Sequence, residues 1–213
     1  MKRFPTLAGA GRDLAVVLEE YRAASNTLVV AIATGGVPVA CEVARQLQLP
    51  LELLVIRRLV VLSGEPVCAV NVAGKPVVDE RLEQHPKSLG LDHAIAEGLE
   101  QLAARERLFR GERPPTDLAG MNVLLVDNGI HTGSTVLSAI RVLRQLDVSS
   151  IVLAVPVANP ESRAVIESVA DRVVCLAWPE KFGHVGLWYD EPIRPTEEHV
   201  RELFDVAQQT CAS

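Results

Sequence analysis

Cysteine is scarce and scattered in this chain. Its four cysteines, Cys41, Cys68, Cys175 and Cys211, include no Cys-x-x-Cys pair, so neither a disulfide framework nor a zinc site of the usual spacing is expected. They read as free thiols of a reducing, cytoplasmic compartment. Residues 1–20 lack the apolar stretch of a secretory signal. No apolar run approaches the roughly 18 residues of a membrane-crossing helix, so no membrane partner is expected. Basic residues are in deficit: 21 Lys and Arg against 27 Asp and Glu give a net charge of −6. That is the wrong sign for a non-specific nucleic-acid face. It leaves room for a small anionic ligand, because a local cluster of arginines and backbone amides overrules the global charge.

Two nucleotide-binding signatures are also missing. A Walker loop needs Gly-Lys followed by Ser or Thr, whereas Gly74-Lys75 is followed by Pro76. A dinucleotide fingerprint needs three spaced glycines after a strand; Gly9 and Gly11 have no strand before them and no third glycine. Internal repeats and low-complexity linkers are absent too, so 1–213 reads as one domain.

Apolar residues are plentiful, at 48% of 213 residues with a mean hydropathy of +0.21. Leu14, Leu18 and Tyr21 sit at helical spacing. "TLVVAIA" (27–33) is a continuous apolar run, as a strand covered on both faces would be. Pro38 then stands where a helix begins, with Val39, Val43 and Leu47 on one face. "LELLVI" (51–56) predicts a second buried strand. In 59–90, two short strands are expected around Ala73-Gly74-Lys75, followed by a loose loop at Pro86, Ser88 and Gly90. Leu91, Ile95, Leu99 and Leu102 restore a helix that ends in "RERLFRGER".

Strand 123–126 comes next, then a helix carrying Val136, Ile140, Leu143 and Leu146. "SIVLAVPV" (150–157) is another strand, Asn159-Pro160 caps a helix, and "RVVCLA" (172–177) is the last core strand. After the irregular stretch that follows, Thr196, Glu197 and Glu198 open a C-terminal helix. Strands alternating with helices predict an α/β fold with a mainly parallel sheet covered on both faces.

The stretch "VLLVDNGIHTGST" (123–135) carries the chemistry. In such a sheet, ligands sit beyond the carboxyl ends of the strands, and Asp127 and Asn128 stand at one. Gly133 permits close backbone approach; Thr132, Ser134 and Thr135 add hydroxyls beside a helix start, a combination that binds phosphate. Acceptors on Asp127 and Asn128 match two neighbouring ribose hydroxyls. Phosphate plus a ribose diol describes a sugar phosphate. The same residues also satisfy ordinary turn and capping chemistry.

The stretch resembles the phosphoribosyl pyrophosphate (PRPP) signature of type I phosphoribosyltransferases. "IATGGVPVACEVARQL" is similar to the loop those enzymes use for pyrophosphate, "VIRRLV" to their next strand, and "WPEKFGHVGLWYDE" to the hood over the base in purine-type members. The segment "RERLFRGERPPTDLAG" resembles the one preceding the signature in a little-characterised bacterial branch. The resemblance implies magnesium-assisted transfer of a 5-phosphoribosyl group from PRPP to a nitrogenous, purine-like base, with release of pyrophosphate. It also implies a homodimer, a flexible flap over about 59–90 and a small hood over about 177–195.

Carried over by position, His131, Thr132, Gly133, Ser134 and Thr135 would hold the 5′-phosphate, and Asp127 and Asn128 would face the ribose. Thr34, Gly35 and Gly36 would line the pyrophosphate, with Arg57 or Arg58 in contact. Phe182 and Trp188 would meet the base, Asp127 and Asp190 would reach Mg2+, and Asp127, Asn128 and His131 form the catalytic set. Two departures stand out. The acid pair of the signature has become Asp127-Asn128, and Ala33-Thr34 replaces a common Pro-Arg. Together they open an alternative: a sensor that binds PRPP or a nucleotide without turning it over.

Several residues carry two readings. His131 is a general base or phosphate contact, or a solvent-facing loop histidine. Arg105, Arg107, Arg110 and Arg113 guide an anion or answer a helix dipole. Phe182, Trp188 and Tyr189 form a stacking wall or simply pack, and Asp190 is a metal ligand or a surface acid.

Overall fold

The computed structural model describes residues 3–60, 66–72, 75–78, 89–114, 116–191 and 195–211. Strand β1 (Thr27–Ala33) lies at the centre, with β2 (Leu51–Val60) on one side and β5 (Asn122–Val126) on the other, both parallel to it. Parallel pairing continues through β6 (Ser150–Val157) to β7 (Arg172–Ala177). On the other side, β3 (Pro66–Val72) and β4 (Lys75–Val78) add antiparallel strands beyond β2, for an order β4-β3-β2-β1-β5-β6-β7.

Alternation of side chains explains the continuous apolar runs. Val29 and Ala31 of β1, Leu124 and Val126 of β5, and Val152 and Ala154 of β6 enter one core cluster. Their neighbours Val30, Leu125 and Leu153 enter another on the opposite face. Helices α1 (Leu7–Val17), α2 (Val37–Leu47), α3 (Leu89–Arg110) and α6 (Glu197–Cys211) contribute to the first cluster. Helices α4 (Ser134–Gln145) and α5 (Arg163–Glu167) contribute to the second. Strands β1, β5 and β6 are therefore covered on both faces, which suits a parallel sheet.

Local chemistry sets the element ends. Thr6 caps α1 by accepting the Gly9 amide at 2.8 Å. Gly11 has a packing role: a β-carbon there would stand 2.5 Å from the Val39 carbonyl oxygen, so its hydrogen lets α1 lie against the backbone of α2. The first helix is shorter than its apolar spacing suggests; α1 stops at Val17, and Glu19–Tyr21 tighten into a 3-10 turn. Strand β2 outruns its apolar core because Arg57–Val60 pair antiparallel with β3, which needs no apolar alternation. Gly90, expected in a loop, lies in the first turn of α3. Of the expected 59–90 flap, the described portions extend the sheet, whereas Pro86, Ser88 and the turn at Ala73-Gly74 lie outside the described residues.

Arg105, Arg110 and Arg113, at and just beyond the end of α3, make structural contacts. Arg110, only 7% exposed, reaches Glu52 of β2 at 2.6 Å and also pairs with Glu106; Glu52 itself is 1% exposed. Arg113 bonds Asp205 of α6 and lies over the Phe204 ring, while Arg105 bonds Glu197 at 2.7 Å. These contacts fasten α3 to the sheet and to α6.

Candidate functional site

The path of the chain fixes where a site can form. From β1 the chain crosses through α2 on one face to β2; from β5 it crosses through α4 on the other face to β6. Adjacent strands whose connections depart in opposite directions leave a crevice at their carboxyl ends. The two loops that open there are Thr34–Gly36 after β1 and Asp127–Gly133 after β5.

The loops touch. A β-carbon on Gly35 would lie 2.9 Å from Nδ2 of Asn128, and one on Gly36 would meet the carbonyl oxygens of Ile32 and Val126, each at 2.8 Å. Glycine at both positions therefore lets the first loop settle onto the ends of β1 and β5. The Ala33–Thr34 peptide bond is cis.

Beyond Asn128 the second loop wraps a cleft of about 260 Å³ lined by Asp127, Gly129 to Val136, and Val185 from the hood. Gly133 precedes α4 with φ +81°, a conformation that glycine adopts without strain. The Thr132 and Ser134 hydroxyls stand 3.2 Å apart. First-turn amides of a helix have no intrahelical acceptor, and the dipole favours an anion there. The residues expected to hold phosphate, His131 to Thr135, thus share one concave wall.

Asp127 sits at the base of this wall. Its carboxyl accepts the Asn128 amide at 2.8 Å. The residue keeps some exposed surface, yet protein encloses the carboxyl closely enough that burial pushes its pKa up to about 7, only partly countered by that hydrogen bond. A cation arriving in the cleft would favour the charged form. Magnesium is commonly held by one or two carboxylates plus substrate phosphate oxygens and water. Among the described residues no group of three His, Cys, Asp or Glu side chains converges on a metal position. Among the described residues Asp127 alone lines the cleft with a carboxylate, a donor set that fits an ion carried largely by a phosphorylated ligand.

Asp190 does not line the cleft. It pairs with Arg3 at 3.2 Å on an exposed edge. Arg57 and Arg58 lie on β2 opposite Ala69 and Cys68, and their side chains are outside the described residues.

The hood differs from the open wall expected of it. Phe182 is 6% and Trp188 5% exposed. His131 stacks on Phe182 with centroids 5.9 Å apart, and Phe182 stacks in turn on Trp188 at 6.4 Å. Trp188 also donates its indole N–H to the Phe182 carbonyl at 3.0 Å. The ring presented to the cleft is His131, exposed and seated at the end of this ladder. Packing claims Phe182 and Trp188 because Phe4, from the other end of the chain, closes over them in one cluster with Tyr189.

Tyr189, open in the sequence to a stacking or a packing role, makes a contact that neither reading included. Its hydroxyl donates to the Asn128 carbonyl at 2.6 Å. Burial, with the neighbouring Asp127 carboxyl, raises its pKa above the usual phenol range, so it stays a donor. An aromatic run in an irregular segment was the one available signal.

A model of the phosphoribosyl transferase domain matches residues 3–192. Curated proteins of Mycobacterium tuberculosis, provisionally named phosphoribosyl transferases, are 35% identical over 217 residues, covering 100% of this chain and 48% of theirs. The chain spans about half the length of these relatives. A solved structure from Thermus thermophilus superposes with a TM-score of 0.81 at 29% identity, covering 95% of this chain and 97% of that one. A Neisseria gonorrhoeae protein with bound ppGpp shares the fold at a TM-score of 0.52 and 15% identity, over 96% of each chain. By the family model's match over most of its length, this chain belongs to the phosphoribosyl transferase domain family.

Proposed function

We propose that this domain binds PRPP and transfers its 5-phosphoribosyl group to a nitrogenous base, releasing pyrophosphate. One observation carries the reading: the Gly35–Gly36 loop and the Asp127–Thr135 loop meet at the adjacent ends of β1 and β5, where the chain reverses its winding. A ligand with a phosphate at each end of a ribose spans two such loops. The 5′-phosphate belongs in the Thr132–Thr135 wall, the ribose diol at Asp127 and Asn128, and the pyrophosphate along Thr34–Gly36. A magnesium ion, held through Asp127 and the ligand's own oxygens, would neutralise charge on the departing pyrophosphate.

The chain's residues contribute mainly position and electrostatics. Asp127 holds negative charge beside the anomeric carbon, where positive charge grows as pyrophosphate leaves. The acceptor base approaches from the hood side, between Val185 and His131, and His131 takes the proton that the attacking nitrogen loses. A purine-like heterocycle fits that side, since the terminal imidazole of the His131–Phe182–Trp188 ladder offers both a flat face and a polar edge. A homodimer and a cytoplasmic setting complete the proposal.

A second reading has its own support: Asn128 in place of an acid removes one charge beside the ribose cation, as expected of a non-catalytic PRPP or nucleotide sensor. One experiment separates the two. The protein is incubated with PRPP, magnesium and a panel of purine and pyrimidine bases, with pyrophosphate release and heat of binding both measured. Turnover on a base establishes the transferase. Heat without turnover establishes the sensor, and neither signal overturns both.

A further inference from the structure

Proteins that grip both a sugar and a base must keep the two halves of the site in register. Here the hood reaches the ribose loop at the Asn128–Gly129 peptide, in addition to the stacking of His131 on Phe182. The Asn128 carbonyl accepts the Tyr189 hydroxyl at 2.6 Å. One residue on, the α-carbon of Gly129 is pressed by Val185, whose Cγ1 would stand 2.8 Å from any β-carbon placed there. The side-chain amide of Asn128 packs over Gly35 of the first ligand loop, and the backbone N–H of Asn128 donates to the Asp127 carboxyl. Residues 128 and 129 are therefore tied to the hood through the Asn128 carbonyl and the Gly129 α-carbon, and to the first ligand loop through the Asn128 side chain.

Tyr189 is itself firmly seated. It is 2% exposed, and its ring lies 5.7 Å from that of Phe4. The segment Arg3–Pro5 runs alongside it as a short parallel bridge. The Phe4 N–H donates to the Trp188 carbonyl at 2.8 Å, the Asp190 N–H to the Phe4 carbonyl at 3.0 Å, and Arg3 to the Tyr189 carbonyl at 2.9 Å. A phenol pinned on both flanks cannot follow its acceptor if the loop moves, so it fixes where the Asn128 carbonyl sits.

We propose that Tyr189 is a positioning residue for ribose recognition, holding the Asn128–Gly129 peptide so that Asp127 and Asn128 face the sugar hydroxyls. The proposal rests on the phosphoribosyl reading of the cleft. The phosphate wall at Thr132–Thr135 lies past this peptide and is anchored separately by α4. Tyr189 should therefore matter for ligands that carry the sugar and be indifferent to phosphate alone.

Tyr189→Phe keeps the ring and its contact with Phe4 while deleting the hydroxyl. Binding of ribose 5-phosphate and of inorganic phosphate is titrated on the wild-type and variant chains, following the backbone amide signals of the phosphate wall. Wild-type affinity for ribose 5-phosphate should exceed that for phosphate. Tyr189→Phe should weaken ribose 5-phosphate about tenfold, the loss expected when a partly buried carbonyl is left without its donor, and leave inorganic phosphate unchanged. A second variant, Phe4→Leu, disturbs the seat of Tyr189 without touching the hydrogen-bonding atoms, and should weaken ribose 5-phosphate selectively but less. Equal affinities in wild type and both variants overturn the positioning role, as does a parallel loss of both ligands. If wild-type protein binds phosphate but gains nothing from the ribose, the phosphoribosyl reading itself falls, and the wild-type titration alone reveals it.

Discussion

The side-chain amide of Asn128 rests against the α-carbon of Gly35, so that a single methyl group at position 35 would come within 2.9 Å of Nδ2. At Gly36 the added methyl would meet backbone instead, the Ile32 and Val126 carbonyls at 2.8 Å. A side chain can turn away, but two strand ends cannot. Gly35→Ala should thus fold with nearly wild-type stability and lose affinity for PRPP, because Asn128 is displaced from the ribose. Gly36→Ala should lose about 1–3 kcal/mol of stability, the usual cost of overpacking. Thermal unfolding with a PRPP titration on both variants checks this; equal stability of the two would refute the distinction.

A second prediction concerns the buried charges at the opposite end of the sheet. Arg110 serves both Glu52 and Glu106, and all three are nearly sealed from water. Removing the guanidinium leaves two carboxylates facing each other. Arg110→Ala should therefore cost about 3–5 kcal/mol in chemical denaturation. Replacing all three together with Leu, Leu and Met should recover most of that loss or exceed wild type, since no desolvated charge remains. A triple variant as unstable as the single one would show that the ion cluster itself holds α3 in place.

The thiols give a pH-dependent test. Burial, helped by the Glu42 charge, pushes Cys41 up to about 12; burial pushes Cys175 up to about 11 despite the Ala177 backbone hydrogen bond and the charge of Arg163. Both therefore hold their protons in the folded state at pH values where the unfolded chain, near 9.0, gives them up. Their contribution to stability is complete below pH 9 and declines as pH rises from there. In a Cys68→Ser, Cys211→Ser background, a thiolate-specific reagent at pH 8 should label folded protein far more slowly than urea-unfolded protein. Comparable rates would contradict the raised pKa of these two half-buried thiols.

What the sequence discloses and what it hides follow one physical line. Strand β1 could be read to the residue, because a strand covered on both faces must be apolar throughout. The crevice was legible too, since Asp127 and Asn128 follow an apolar run and precede Gly133 and a helix. By contrast, Arg57–Val60 shows no apolar alternation, because antiparallel pairing with β3 is satisfied by backbone alone, and only the family resemblance of "VIRRLV" marked it as strand. The hood aromatics were left with two readings for a related reason. Whether Phe182 and Trp188 face a ligand or a core depends on Phe4, which arrives from almost two hundred positions away and carries no periodic signal. Asp190, open in the sequence to being a metal ligand or a surface acid, pairs with Arg3 on an exposed edge.

The last prediction concerns Asn128, whose N–H already serves Asp127 and whose side chain abuts Gly35. Asn128→Asp would set a second carboxylate next to one that burial already pushes up to about 7. Like charges in a partly desolvated pocket repel, so the ligand-free variant should unfold at a lower temperature. With PRPP and magnesium present the balance reverses. A carboxylate accepts a ribose hydroxyl through a charge-assisted bond worth about 1.5–3 kcal/mol, against about 0.5–1.5 for the neutral amide. The advantage grows as the sugar becomes cationic, and so it should appear in kcat. Asn128→Asp should therefore release pyrophosphate several-fold faster than wild type while being less stable alone. A folded variant that has lost activity would mean that the amide is fitted to a different ligand. A variant that binds PRPP yet turns over no base would leave the sensor reading as the one that survives.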